Sequence, residues 1–219
     1  MEVVIPQLYL KKQTNLENKH YIFSFCTIQN NQIKLNGEVV FKSDSSDFSN
    51  FSKKAYHNFS MNYSKFFKMD NLSKLAFLGS ELLLNSVIDA TAENDIALLF
   101  ANKSSSLDTD LKYQDSISDG ENYFPSPTVF VYTLPNICLG EIAIKNQLKS
   151  ENSFFIFEAF NSEFMVNYAN VLLNTKKADK VLCGWVEYFN EEYKAFLYLV
   201  TKEGTTEHNK KNIDKAFNN

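Results

Sequence analysis

The sequence contains no arginine; all 22 of its basic side chains are lysine. Bidentate clamping of phosphate or carboxylate normally uses the planar guanidinium fork, so a site built on that geometry is excluded. Glycine and proline are scarce, six and four in 219 residues. No Pro/Gly/Ser-rich linker divides the chain, which therefore reads as a single domain over 1–219. No stretch approaches the ~20 apolar residues of a membrane span. The opening segment MEVVIPQLYLKK starts acidic and is too short for a signal h-region. The expected location is the cytoplasm, with no membrane partner. A basic stripe is also missing. The net charge is −4 and the lysines are scattered among Asp and Glu, which excludes a nucleic-acid partner held by phosphate contacts.

Cysteine is rare, odd in number and widely spaced. Cys26, Cys138 and Cys183 form no CxxC pair, have no histidine nearby and sit among apolar neighbours. Disulfides are not expected in a cytoplasmic chain, and free cysteines usually behave as small core hydrophobes. His20, His57 and His208 are equally dispersed, so no zinc site is supported. Neither a GxGxxG nor a Walker A segment is present. No cofactor is expected.

What is present is an alternation of strand and helix signals. Tyr21–Ile28, YIFSFCTI, is β-branched and aromatic and predicts a buried strand. Residues 29–64 are polar and irregular, a long surface excursion with a turn at Gly37 and a short strand at Glu38–Phe41. Lys65–Ala90 predicts a helix capped by Asp70. Leu72, Leu75, Ala76, Gly79, Leu82, Leu83 and Ser86 share one face, and Gly79 allows close approach of another backbone. Ile96–Ala101 is a continuous apolar run that suits a strand buried on both faces of a parallel sheet. Lys103–Tyr123 is polar. Its acids Asp108, Asp110, Asp115 and Asp119 offer oxygen ligands to a cation, although alternating acids on a loop are usually just solvated.

Thr133–Asn161, TLPNICLGEIAIKNQLKSENSFFIFEAFN, is the organising stretch. Pro135 suits the first turn of a helix, followed by Ile137, Leu139, Ile142, Ala143 and Ile144. Lys149–Asn152 turns the chain, Phe154–Phe157 is a buried strand, and Glu158-Ala159-Phe160 bends sharply into a helix over about 162–175. Such strand-to-helix bends are where several enzyme folds place a nucleophile. On that helix Met165, Tyr168, Ala169, Leu172 and Leu173 line one side, and Glu163, Asn167, Asn170 and Asn174 the other. Strands follow at Val181–Val186 and Tyr193–Thr201, and from Glu203 the chain reads as a frayed, flexible tail (203–219). Together these elements imply an α/β fold with a mostly parallel, mixed sheet of about five strands flanked by helices.

Three segments resemble the N-terminal half of a β-ketoacyl synthase, a protein of the thiolase-like fold. Lys65-Phe66-Phe67-Lys68-Met69-Asp70, followed by Leu72-Ser73-Lys74-Leu75-Ala76, is similar to that family's entry into a helix. Thr133-Leu134-Pro135-Asn136, with Gly140-Glu141-Ile142-Ala143-Ile144 and Leu148-Lys149, resembles the segment ahead of the catalytic strand. Ala178-Asp179-Lys180-Val181-Leu182 and Gly184 resemble the segment after the nucleophile helix. The likeness runs from about Ser64 to Val186, and its specificity lies in the order and spacing of the segments.

The resemblance implies decarboxylative condensation of carrier-bound thioesters by a cysteine at the tip of the bend. By spacing, that position is Ala159, which cannot form an acyl-enzyme. The family's two histidines and its oxyanion-hole donors lie in a C-terminal half that this chain does not reach, and His208 has no matching context. The expectation is therefore a single half of a thiolase-like fold without catalysis. In an intact thiolase fold the nucleophile helix is buried between two halves, so the Glu163–Asn167–Asn170–Asn174 stripe implies a solvent-facing helix here. The implied role is that of an accessory protein, like a chain length factor. It would serve a fatty-acid, polyketide or aryl-polyene type pathway by binding a ketosynthase subunit or an acyl carrier protein, with self-association as a further option. Two alternatives stand beside it. One is a small decarboxylase or hydrolase acting through Glu158, although a helix N-terminus would favour the ionised, weakly basic carboxylate. The other is an acyl-ligand binder lined by Phe124, Phe130, Phe155, Phe157 and Phe160.

Overall fold

Three two-residue turns set the sheet. Asn30–Asn31 joins β1 (Tyr21–Gln29) to β2 (Gln32–Leu35), and Asn36–Gly37 joins β2 to β3 (Glu38–Lys42). Asn190–Glu191 joins β6 (Lys180–Phe189) to β7 (Glu192–Thr201). All six turn residues have positive φ, from 50° to 89°. Tight hairpin turns of this hand need positive φ at both central positions, and asparagine tolerates that region better than other residues with a side chain. The computed structural model describes residues 19–45, 47–89, 91–121 and 123–218; the opening segment MEVVIPQLYLKK lies outside them, as does Ala90.

The remaining elements are α1 (Phe48–Asn58), a 3₁₀ turn (Ser64–Lys68), α2 (Asn71–Leu84), β4 (Ile96–Asn102), α3 (Leu107–Ile117), α4 (Pro127–Val131), α5 (Ile137–Asn146), β5 (Asn152–Ile156), α6 (Ser162–Asn174), β8 (Thr206–Glu207) and α7 (Lys210–Phe217). One sheet of eight strands runs β3-β2-β1-β7-β6-β4-β5, with β8 also paired to β1. Among the described residues only β4 with β5 and β4 with β6 are parallel pairs; the others are antiparallel. This corrects the expected mostly parallel sheet of five strands. The hairpin turns at Asn30–Asn31 and Asn190–Glu191 force their neighbours antiparallel, and parallel pairing survives only where a helical crossover separates the strands.

Two core clusters lie on opposite faces of the sheet. One gathers α1, α2 and α5; the other gathers α6 and α7. Residues 29–64 are no excursion. They form β2, β3 and α1, whose Phe48, Phe51, Ala55 and Tyr56 are buried at helical spacing. Gly37 turns the chain and β3 occupies the expected strand position. Asp70 caps α2 by accepting from the backbone N–H of Ser73 at 2.9 Å. The helix stops at Leu84, short of the expected end. It is buried nearly all round because the sheet lies on one side and α1 and α5 on others. Gly79 does allow a close approach, but of a side chain: a Cβ there would lie 2.6 Å from Cδ1 of Leu197.

Every residue of β4 is buried, as its apolar run predicts. β5 is instead an edge strand, half-buried, with Ile156 50% exposed. The polar stretch after β4 forms α3, where Asp108 pairs with Lys112 at 2.6 Å; Asp108, Asp110 and Asp115 are spread along the helix and Asp119 lies past its end. Pro135 precedes the first turn of α5, which begins at Ile137. Between Thr206 and Phe217 the segment expected to fray forms secondary structure. β8 pairs with β1, Asn209 caps α7, and Ile213 and Ala216 are buried. No helix among the described residues is long and apolar enough to cross a membrane.

Candidate functional site

The carboxyl ends of the parallel strands converge on the bend between β5 and α6, the position where open α/β sheets place their ligand crevices. Sheet pairing continues past β5, with the N–H of Phe157 donating to the carbonyl of Asn102 at 2.9 Å. Asn102 is fully buried at the end of β4. Its side chain accepts from the N–H of Ser105 (2.9 Å) and donates to the carbonyl of Ser105 (2.8 Å), which holds Ser105 at φ 53°. Oε2 of Glu187 accepts from the N–H groups of Lys103 (2.7 Å) and Ser104 (3.2 Å). The loop beside the bend is thus fixed from inside and outside.

At the tip, Glu158 and Ala159 are exposed and Phe160 is half-buried. Phe160 anchors the turn. Its ring stacks on Phe217 at 4.5 Å between centroids and meets Trp185 and Phe196 edge-on at 6.0 and 5.8 Å. Asn161 caps α6, accepting from the N–H of Phe164 at 3.0 Å. Ser162 Oγ donates to Asp214 of α7, which also pairs with Lys210.

The exposed tip residue, Ala159, carries only a methyl group and offers no nucleophile. Glu158 has no hydrogen-bond or ion-pair partner among the described residues, so no neighbour orients its carboxylate. Cys26, Cys138 and Cys183 are all buried away from the tip. Burial pushes the thiols of Cys26 and Cys183 up to about 12 and that of Cys138 well above its ordinary value; none is a thiolate at neutral pH. The five phenylalanines proposed as an acyl-chain lining do not converge. Phe124 and Phe130 are 77% and 57% exposed on the α3–α4 side. Phe155 and Phe157 stack with each other and meet Phe164, while Phe160 lies with Phe217.

The polar stripe of α6 does face outward. Glu163, Asn167 and Asn174 are exposed, and Asn170 is half-covered. What covers it was not legible from sequence: His20 and His208, read as dispersed, both place Nδ1 against Asn170 Oδ1. No local motif signals that meeting, because it depends on the pairing of β8 with β1. His57 lies elsewhere, exposed on α1 beside Tyr56.

No protein-family model and no curated protein matches the chain. Among solved structures it is similar to the ishigamide ketosynthase/chain length factor, at 17% identity and a TM-score of 0.62, covering 84% of this chain and 62% of that one. It is also similar to a structure of a ketosynthase in complex with its chain length factor from Xenorhabdus doucetiae (11% identity, TM-score 0.55, 85% and 80% covered). A third likeness is to a type II polyketide synthase acyl carrier protein in complex with its ketosynthase (13%, 0.55, 91% and 66%). The fold is therefore that of the ketosynthases and chain length factors, the thiolase-like fold anticipated from Ser64–Val186. The chain spans 62%, 80% and 66% of these three chains' lengths.

Proposed function

We propose that this chain is a non-catalytic, ketosynthase-like accessory protein of the cytoplasm, working in a polyketide, aryl-polyene or fatty-acid type pathway. Its partner is a ketosynthase subunit or an acyl carrier protein. The observation that carries the reading is Ala159, exposed at the tip of an intact β5–α6 bend in a ketosynthase fold. The bend is held firmly, from the Asn102–Ser105 clamp to the Asn161 cap, while Ala159 offers no atom that could accept an acyl group. Two of the similar structures are named as complexes, one of a ketosynthase with its chain length factor and one of a ketosynthase with its carrier protein. Those assemblies supply the two partner classes. Affinity purification of the tagged chain from its native host tests the reading. Recovery of a ketosynthase or a carrier protein, identified by mass spectrometry, supports it, and recovery of neither counts against it. Incubation with malonyl- and acetoacetyl-carrier protein tests the non-catalytic part: turnover that disappears in Glu158→Ala would establish the enzymatic alternative instead.

A further inference from the structure

Two histidines distant in sequence meet over α6. The backbone N–H of His208 donates to the carbonyl of His20 at 2.8 Å, which sets the two residues side by side. Their Nδ1 atoms lie 3.1 and 3.2 Å from a single acceptor, Oδ1 of Asn170. An amide oxygen has two lone pairs, so it serves both rings when each is neutral and carries its proton on Nδ1. Nε2 of His208 is then a bare acceptor. It is buried without a partner, and the ring lies 5.7 Å from Tyr198, whose hydroxyl is buried beside Cys183.

We propose that β8 and α7, residues 206–217, form an acid-released clasp over α6 and the inner side of the bend, with neutral His208 as its latch. Protonation would give Nε2 a hydrogen with no acceptor among the described residues and place a charge in a site only 5% exposed. Among the described residues no buried carboxylate faces it. The charged groups facing the site are Lys19 beside His20, Glu163 from α6, and Glu207 and Lys210 from the clasp itself, with Lys202 acting on His20. Two exposed acids face two lysines there, and Lys202 adds a third positive charge near His20. Tyr198 and Cys183 close the inner side, and both are held neutral by burial. Desolvation accordingly lowers His208 to about 3 and moves His20 in the same direction.

A histidine whose folded value is depressed contributes its full stability above about pH 6.5 and loses it as pH falls below that. If opening of the clasp frees His208 to water, the opening constant rises about tenfold per pH unit below 6.5, or roughly thirtyfold at pH 5. Opening also separates Phe217 from Phe160 and Asp214 from Ser162, which uncovers the underside of the bend and the first turn of α6.

Amide hydrogen exchange of the full chain at pH 7.5 and 5.0, expressed as protection factors, tests the clasp, with β6 and β7 as the internal standard. Protection across 210–217 is expected to fall roughly thirtyfold while β6 and β7 fall less, and His208→Gln, which cannot charge, is expected to flatten the difference. Unchanged protection of α7, or a fall only in step with β6 and β7, overturns the proposal. Should the variant fail to fold, NMR titration of His208 in the unmodified chain decides: a midpoint near 6.5 with α7 still protected also overturns it.

Discussion

Phe160, one residue past the tip of the bend, is stacked on Phe217 of α7 at 4.5 Å between ring centroids, with the rings 27° from parallel. The last helix therefore holds the bend from below. Nζ of Lys194 lies 3.7 Å from the centre of the Phe217 ring and donates to the Phe217 carbonyl at 3.3 Å.

Phe217→Ala removes a half-buried ring together with its stack and its cation contact. The expected cost is roughly 2 kcal/mol, at the low end for phenylalanine truncation because the ring is only partly enclosed. Denaturant midpoints compared at constant slope measure it.

Ala159→Cys places a thiol at an exposed tip. One equivalent of thiol is expected to react with Ellman's reagent in the native protein, whereas the unmodified chain reacts only after unfolding, because Cys26, Cys138 and Cys183 are buried. On the accessory reading, the variant gains no condensing activity with acyl- and malonyl-carrier protein. A restored turnover would show that more of the machinery is present than that reading allows.

Gly79→Ala sets two effects against each other. Alanine gains about 1 kcal/mol of helix propensity. Its Cβ, however, would meet Cδ1 of Leu197, which is fully buried on the sheet opposite Gly184. Overpacking of this kind costs about 1–3 kcal/mol, so a net loss of about 1 kcal/mol is expected in thermal unfolding. Gly79→Val, bulkier and β-branched, should lose more.

Asp70 caps α2 and also accepts from Thr109 Oγ1 at 2.8 Å. Burial raises its pKa, and the hydrogen bonds from Ser73 and Thr109 offset this only in part. A raised carboxyl contributes stability that is present below its unfolded value and lost as pH rises through the folded one. Asp70→Asn, which keeps an acceptor for Ser73, is therefore expected to gain on the parent as pH rises from 4 to 7. Asp70→Ala should lose about 1 kcal/mol with the cap. Unfolding midpoints of both variants across that range measure the two effects.

Much of the fold was legible because its signals are local. The run Ile96–Ala101 suited a strand buried on both faces, Asp70 stood where a cap belongs, and the order of three segments from Ser64 to Val186 carried the fold class. Residues 29–64 misled because α1 spaces its few aromatic residues among Ser, Asn and Lys, which dilutes the periodic signal. The hairpins were missed because their turns are Asn-Asn and Asn-Glu, weaker signals than Asn-Gly. β5 read as central because its phenylalanines suit both faces, yet strand order is decided by crossovers that no residue pattern in β5 records.

By itself the sequence determined that the tip of the bend carries no nucleophile of its own: whatever the packing, Ala159 brings a methyl group. Only the tertiary structure decided what surrounds that tip. The pairing of β8 with β1 carries His208 to His20 and lays α7 across Phe160, turning an apparent tail into part of the site. Contacts between residues so distant in sequence depend on the closure of the whole sheet, and no local pattern of side chains encodes them.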